Sequence, residues 1–105
     1  MQIQINTDNH TDGSAELREE IQTLVEEKLR RFTERITRIE VQLTDENSAA
    51  KGGPDDQKCV IEARLSGLQP ISVTDRGATP DQAARGAVGK MRNLLESTLG
   101  KKDAR

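Results

Sequence analysis

The chain opens on strict alternation. In MQIQINT, residues 1–7, Ile3 and Ile5 point one way and Gln2, Gln4 and Asn6 the other, which predicts a short half-buried strand. DNHTDG, residues 8–13, carries turn chemistry. Ser14 then stands as a helix N-cap, with Glu16, Glu19 and Glu20 near the positive end of the helix dipole. From Ala15 to Thr33 or slightly beyond, the period changes. At about 100° per residue, Leu17, Ile21, Leu24, Val25, Leu29, Phe32 and Ile36 fall within one arc. RIEVQLTDE, residues 38–46, returns to alternation, with Ile39, Val41 and Leu43 on one face. NSAAKGGPDD, residues 47–56, is rich in breakers and predicts a loop between two antiparallel strands. KCVIEARLSG, residues 58–67, sets Cys59, Ile61, Ala63 and Leu65 on one face, and Gly67 marks the next turn. PISVTD, residues 70–75, is a last strand with Ile71 and Val73 inward. Thr79 and Asp81 both qualify to start the final helix, with Pro80 suited to its first turn. Its apolar arc holds Ala83, Ala84, Ala87, Val88, Met91, Leu94, Leu95, Thr98 and Leu99, and Gly100 is the expected stop.

The element order is strand, helix, three strands, helix. One helix between the first two strands predicts a parallel crossover, and the short later connections predict an antiparallel meander. Each strand has one apolar set, so both helices are expected on one sheet face and water on the other. The fold class is α+β: β-α-β-β-β-α, a four-stranded mixed sheet with two helices packed on one face. Residues 1–100 read as one domain and KKDAR, residues 101–105, as a charged C-terminal tail.

Composition narrows the function classes. With 105 residues, 32% hydrophobic and 32% charged, the chain supports one economical core. Cys59 is the only cysteine, which excludes a disulfide-stapled secreted scaffold. The N-terminus lacks the basic start and apolar run of a signal peptide, and no stretch reaches the length of a membrane span. A cytoplasmic protein without membrane contact is expected. His10, the only histidine, lies in a turn with nothing local to pair with, and Cys59 falls on an inward strand position as a buried, inert thiol. No spacing suits a zinc site. An enzyme is the least supported class, and no cofactor, metal or small-molecule substrate is expected.

Charge adds the functional signal. The 16 Lys and Arg stand against 18 Asp and Glu, a net charge of −2, so any hold on nucleic acid rests on local clustering. Phe32 is the only aromatic residue, which limits base stacking. On the first helix, Lys28, Arg31 and Arg35 share a ridge along one edge of the apolar arc, with Arg38 just beyond. Two accounts fit them: complementarity to the helix dipole, with stems lying over the core, or contact with phosphates. On the second helix, RGAVGKMRNLL, residues 85–95, carries Gly86 and Gly89, each costing about 1 kcal/mol relative to alanine. Lys90 lies at one edge of the apolar arc and Arg85 and Arg92 at the other, with Gly86, Gly89, Asn93 and Ser97 outward between them. From Arg85 to Arg105, six basic residues outnumber two acids, Glu96 and Asp103. A solvated face, close packing on a partner helix and a phosphate-facing strip all fit this pattern. On the last reading, leucine at both 86 and 89 preserves folding and weakens RNA binding. GAVG is not the GxxG loop of a KH domain, because the apolar period runs through it, and it lacks the spacing of a phosphate-binding P-loop.

The opening MQIQIN, the helix ELREEIQTLVEEKLRRF, the segment RITRIEVQL and the run VTDRGATPDQAARGAVGKMRNLL, in this element order, resemble the ribosome hibernation-promoting factor and ribosome-associated inhibitor family in its short form. That family is also labelled sigma-54 modulation or ribosomal subunit interface protein. The resemblance covers nearly the whole chain. It implies a non-enzymatic stress factor that binds the small ribosomal subunit and its rRNA in the channel for messenger and transfer RNA, and that inhibits translation or protects idle ribosomes. It implies rRNA-binding residues at Lys28, Arg31 and neighbouring Arg30, at Lys90 within GKM, and at Lys101 and Lys102. The charge pattern adds Arg35 and Arg92, with Gly86, Gly89 and Asn93 as the face of close approach. The chain departs from the family pattern at Asp81 and Gln82, near the place of an early aromatic, and at Asn93, where an arginine is usual. The dimerisation domain of the long form is not in this sequence, so a monomer off the ribosome is expected. The alternative is a protein-interaction module of the same fold that does not bind ribosomes. A double-stranded RNA-binding domain fits less well, because TPDQAAR stands where its lysine cluster would begin the last helix.

Overall fold

The computed structural model describes residues 1–8, 15–46 and 56–103, with side chains as far as residue 100. Alternating segments form strands and the 3.6-residue periods form helices, in the predicted order: β1 (Gln2–Thr7), α1 (Ala15–Lys28), a 3-10 turn (Arg30–Phe32), β2 (Ile36–Asp45), β3 (Gln57–Leu65), β4 (Ile71–Gly77) and α2 (Pro80–Asp103). The sheet order is β1-β2-β3-β4, with β1 parallel to β2 and the other neighbours antiparallel. This is the mixed four-stranded α+β arrangement that the sequence predicts.

The core lies on one face of that sheet. Ile39, Val41 and Leu43 of β2 and Cys59, Ile61, Ala63 and Leu65 of β3 are buried beneath Ile21, Val25 and Leu29 from the first helical segment and Val88, Met91, Leu95 and Leu99 from α2. Each large aliphatic side chain buried here contributes about 1.5–3 kcal/mol. Ala83, Ala84 and Ala87 are fully buried and bring α2 close to the strands. Ile3, Ile5, Ile71 and Val73 are only half-buried, because β1 and β4 are the edge strands. The opposite face is polar. There Arg38 lies across from Arg64 and Glu40 across from Glu62. Each arginine offsets that like-charge pairing along its own strand, Arg38 to Glu40 at 3.0 Å and Arg64 to Glu62 at 3.5 Å.

Three boundaries differ from the sequence reading. The first helix ends at Lys28 rather than Thr33, and a tighter turn follows. Phe32 N–H donates to Leu29 O at 3.0 Å and Arg35 N–H to Phe32 O at 2.9 Å. This i→i+3 winding keeps Leu29 and Phe32 in the core while turning the chain back toward the sheet. Ile36 belongs to β2, not to the helix. A register shift between Ile36 and Arg38 places Ile36 and Ile39 on the same buried face despite their odd spacing. Gly100 does not stop α2, which continues to Asp103. Among the described residues only Gly67 adopts a positive φ, 76°, so Gly100 does not form the left-handed cap that would end the helix.

Thr79, rather than Asp81, caps α2. Its Oγ1 accepts from Gln82 N–H at 3.1 Å, and Gln82 Oε1 reaches back to accept from Ala78 N–H at 3.1 Å. Gly67 sits in the β3–β4 turn as expected. Ser14, His10 and residues 47–55 lie outside the described residues.

Both sheet edges carry a helix-borne cation. Arg18 of α1 donates through Nη1 to Ile5 O at 2.7 Å, and Lys90 of α2 donates through Nζ to Thr74 O at 3.0 Å. Both carbonyls lie on edge strands, where open backbone groups invite a further strand. Asp75 strengthens the guard on β4: its Oδ1 lies 3.5 Å from Lys90 Nζ.

Cys59 is fully buried opposite Asp75. Burial, assisted by the Asp75 carboxylate, pushes its thiol up from 9.0 to about 12. In the unfolded chain the thiol ionises first, so its contribution to stability is complete below pH 9 and is lost as pH rises toward 12. Denaturant titrations between pH 7 and pH 10.5 are expected to show stability falling above pH 9, with a shallower fall in Cys59→Ala. A thiol reagent at pH 8 should label Cys59 only as fast as the chain opens.

Candidate functional site

β1, β2 and β4 run the same way, and each helix returns from β1 or β4. The two helices therefore lie side by side in one direction, with a groove between them. One end of the groove, about 310 Å³, is lined by Leu24 and Lys28 of α1 and by Arg85, Gly89 and Arg92 of α2. No acid is among them. The adjoining end, about 500 Å³, is lined by Glu16, Glu19, Glu20 and Glu27 together with Arg85. The groove thus changes sign along its length, and Arg85 stands at the boundary. Beyond the cation end, Arg31 Nη1 meets Glu96 Oε1 at 3.2 Å and ties the first helical segment to α2.

The predicted cations divide into groups. Lys28 and Arg92 converge on the groove. Arg31 is committed to Glu96 and lies 5.3 Å from the Phe32 ring centroid. Arg30 is exposed on the 3-10 turn. Arg35 is half-buried, its carbonyl accepting from Ser66 N–H at 3.0 Å. Lys90 faces the other way, against Thr74 and Asp75 of β4. Lys101 and Lys102 lie in the last turn of α2, and their side chains lie outside the described residues. Asn93 is exposed.

The two glycines also separate. A Cβ at Gly89 would meet nothing within 4 Å, so this position is open floor at the groove. A Cβ at Gly86 would fall on the carboxylate of Asp75. The close approach at Gly86 is therefore internal, between α2 and the β4 carboxylate, rather than an outward strip shared with Gly89. The expectation that leucine at both positions preserves folding is corrected accordingly.

A family model described as sigma 54 modulation protein / S30EA ribosomal protein matches residues 3–103. The chain belongs to this family. Two solved structures share the fold. The N-terminal domain of Protein Y from Thermus thermophilus is 15% identical, with a TM-score of 0.73 over 93% of this chain and 99% of that one. A ribosomal subunit interface protein from Coxiella burnetii is 19% identical, with a TM-score of 0.71 over 95% of this chain and 99% of that one. At these identities the likeness is one of fold. No curated protein matches the chain.

Within this family member, the groove cations call for different explanations. Lys28 lies in the last turn of α1, where the helix dipole favours a positive charge. Arg85 sits near the start of α2 and Arg92 in its middle, where the dipole offers a cation nothing. Dipole complementarity thus accounts for Lys28, an ion pair with Asp81 one turn back at 3.0 Å accounts for Arg85, and neither accounts for Arg92. Arg85 was not among the expected contact residues. Its place beside Arg92 on the helical wheel was the available signal, but its convergence with Lys28 depends on how the helices are offset.

Proposed function

We propose that the chain is a non-enzymatic ribosome-binding factor that fills the messenger and transfer RNA channel of the small subunit and keeps idle ribosomes from translating. Family membership across residues 3–103 carries this reading. The cation end of the interhelical groove supplies a contact surface suited to rRNA phosphates, and Arg30, Arg31, Arg35, Lys101 and Lys102 are the further rRNA contacts of this reading. Occupancy, rather than catalysis, does the work. With a single aromatic residue, the domain reads charge and shape instead of base sequence. The protein acts in the cytoplasm, where ribosomes are, and is a monomer when free, in keeping with its guarded sheet edges.

Co-sedimentation with ribosomes and separated subunits on sucrose gradients tests this. Comigration with the small subunit and the whole ribosome is expected at low salt, weakening steeply as salt rises, because phosphate contacts release counterions. Salt-independent comigration counts against a phosphate-based hold. Absence from every ribosomal fraction at low salt overturns the reading in favour of a protein-interaction module.

A further inference from the structure

β4 is an edge strand, so one side of its backbone has no neighbouring strand. Backbone groups alternate along a strand, and Ser72, Thr74 and Arg76 turn theirs to that open side. Two of these groups are covered from within the chain. Lys90 Nζ donates to Thr74 O at 3.0 Å, and Asp75 Oδ1 accepts from Arg76 N–H at 2.9 Å. The same Oδ1 lies 3.5 Å from Lys90 Nζ. Ile71 and Val73 pack on the core, so the short side chains of Ser72 and Thr74 fall on the polar face. β4 contains no proline, and its alternation is unbroken, as in an edge that can template a further strand.

The strand that fits this edge best is β4 of a second copy. Antiparallel pairing about Thr74 sets Thr74 opposite Thr74, Ser72 opposite Arg76 and Val73 opposite Asp75, so no like charges meet across the strands. α2 lies over β3 and β4. Across such a pair the two α2 helices stand two strand spacings apart, about 9.5 Å, which is the separation of packed helices. Gly86, Lys90, Leu94 and Ser97 share the side of α2 toward this edge at helical spacing. Gly86 and Ser97 are small, and Leu94 is half-buried. Lys90 is the one long charged side chain among them. Its Nζ stands where the second copy's Thr74 N–H has to arrive, and pairing would bring two ammonium groups together.

We infer that the β4 edge and the adjoining side of α2 form a latent self-association surface, complementary to a second copy of this chain, and that Lys90 keeps it closed. This goes beyond the ribosome-binding reading and does not depend on it. Arg18, donating to Ile5 O at 2.7 Å, closes the opposite edge. Release of Lys90 alone therefore yields a closed two-fold pair with an eight-stranded sheet, not a fibre.

The test is sedimentation equilibrium of the full chain at about 0.5 mM, where weak protein pairs are populated, with amide hydrogen exchange as a second readout. The parent is expected to be monomeric. Lys90→Met, with Lys90→Gln as the alternative should the first fold poorly, is expected to dimerise at least about tenfold more tightly than the parent. The Thr74 amide should be protected in that dimer only. Lys90→Arg keeps a donor at the position and should stay monomeric. Ser72→Pro removes an N–H that faces the open side, so adding it to Lys90→Met should restore the monomer without unfolding the chain. Folded neutral variants that remain monomeric overturn the inference. A dimer that survives Ser72→Pro, or that protects the Ile5 amide in place of Thr74, overturns it too, as does a parent that already pairs through Thr74. No readout here involves ribosomes, so failure of this surface leaves the functional reading standing, and absence of the chain from ribosomes leaves this surface standing.

Discussion

Lys28→Glu combined with Arg92→Glu is expected to strip the chain from ribosomes. The two residues stand on facing walls of the groove, both are exposed, and neither holds the fold together through an ion pair among the described residues. Circular dichroism and the melting temperature should therefore stay close to those of the parent. Each charge-assisted contact to a phosphate contributes about 1.5–3 kcal/mol, so losing two lowers affinity by at least about a hundredfold, and the introduced carboxylates add repulsion. The salt response is a second readout. Each phosphate contact contributes roughly 0.7–0.9 to the slope of log affinity against log salt, so neutralising the pair as Lys28→Gln with Arg92→Gln should flatten it by about 1.5. If the folded charge-reversal variant comigrates with ribosomes as the parent does, the groove is not part of the contact surface.

Gly86→Leu and Gly89→Leu should move stability in opposite directions, although the sites are one turn apart on the same helix. At Gly89 the new side chain enters open space, and replacing glycine in a helix favours the fold by up to about 1 kcal/mol. At Gly86 the first added carbon falls on Asp75 Oδ2. The carboxylate has to leave its position, where Oδ1 accepts from Arg76 N–H at 2.9 Å and faces Lys90. The rest of the leucine then competes for the same space. Overpacking costs up to about 3 kcal/mol, and the gain in helix propensity returns about 1, leaving a net loss of at most about 2 kcal/mol. In a domain of this size that lowers Tm by up to roughly 10 °C. Asp75→Ala in the same chain should recover most of the loss by removing the obstruction. Thermal melts of the two single variants and the double variant decide the matter; an unchanged Tm for Gly86→Leu would mean that α2 does not lean on Asp75.

The amphipathic patterns made most of the fold legible. Period-2 segments became strands, and the arcs on Leu17–Ile21–Leu24–Val25 and Ala87–Val88–Met91–Leu95 became helices. What escaped were places where one residue satisfies two periods or where no breaker marks a change. Ile36 continues the helical arc from Leu29 and Phe32, yet it also begins a β-branched run, and only the register shift in β2 reconciles it with Ile39. The turn after Lys28 contains neither Gly nor Pro. Gly100 looked like a stop but stays helical behind the buried Leu99. At the candidate site, the angular positions of Arg85, Lys90 and Arg92 on α2 were readable. Their partners were not, because Lys28 and Asp75 arrive from other elements. The sequence registered the cost of Gly86 but not the direction from which something had to come close.

That direction links two positions in the drift of the sequence. A side chain at residue 86 obliges the Asp75 carboxylate to swing aside, and a shorter residue at 75 removes that need. Neither change is comfortable alone, so the pair is expected to be inherited together or exchanged together. Gly89, one turn along and unconstrained on its outer side, has no such tie. Solved structures at 15% and 19% identity share this fold, so most positions are open to change, and this pair is expected to change as a unit. The strand carboxylate and the helical glycine are in that sense one trait written at two places in the chain.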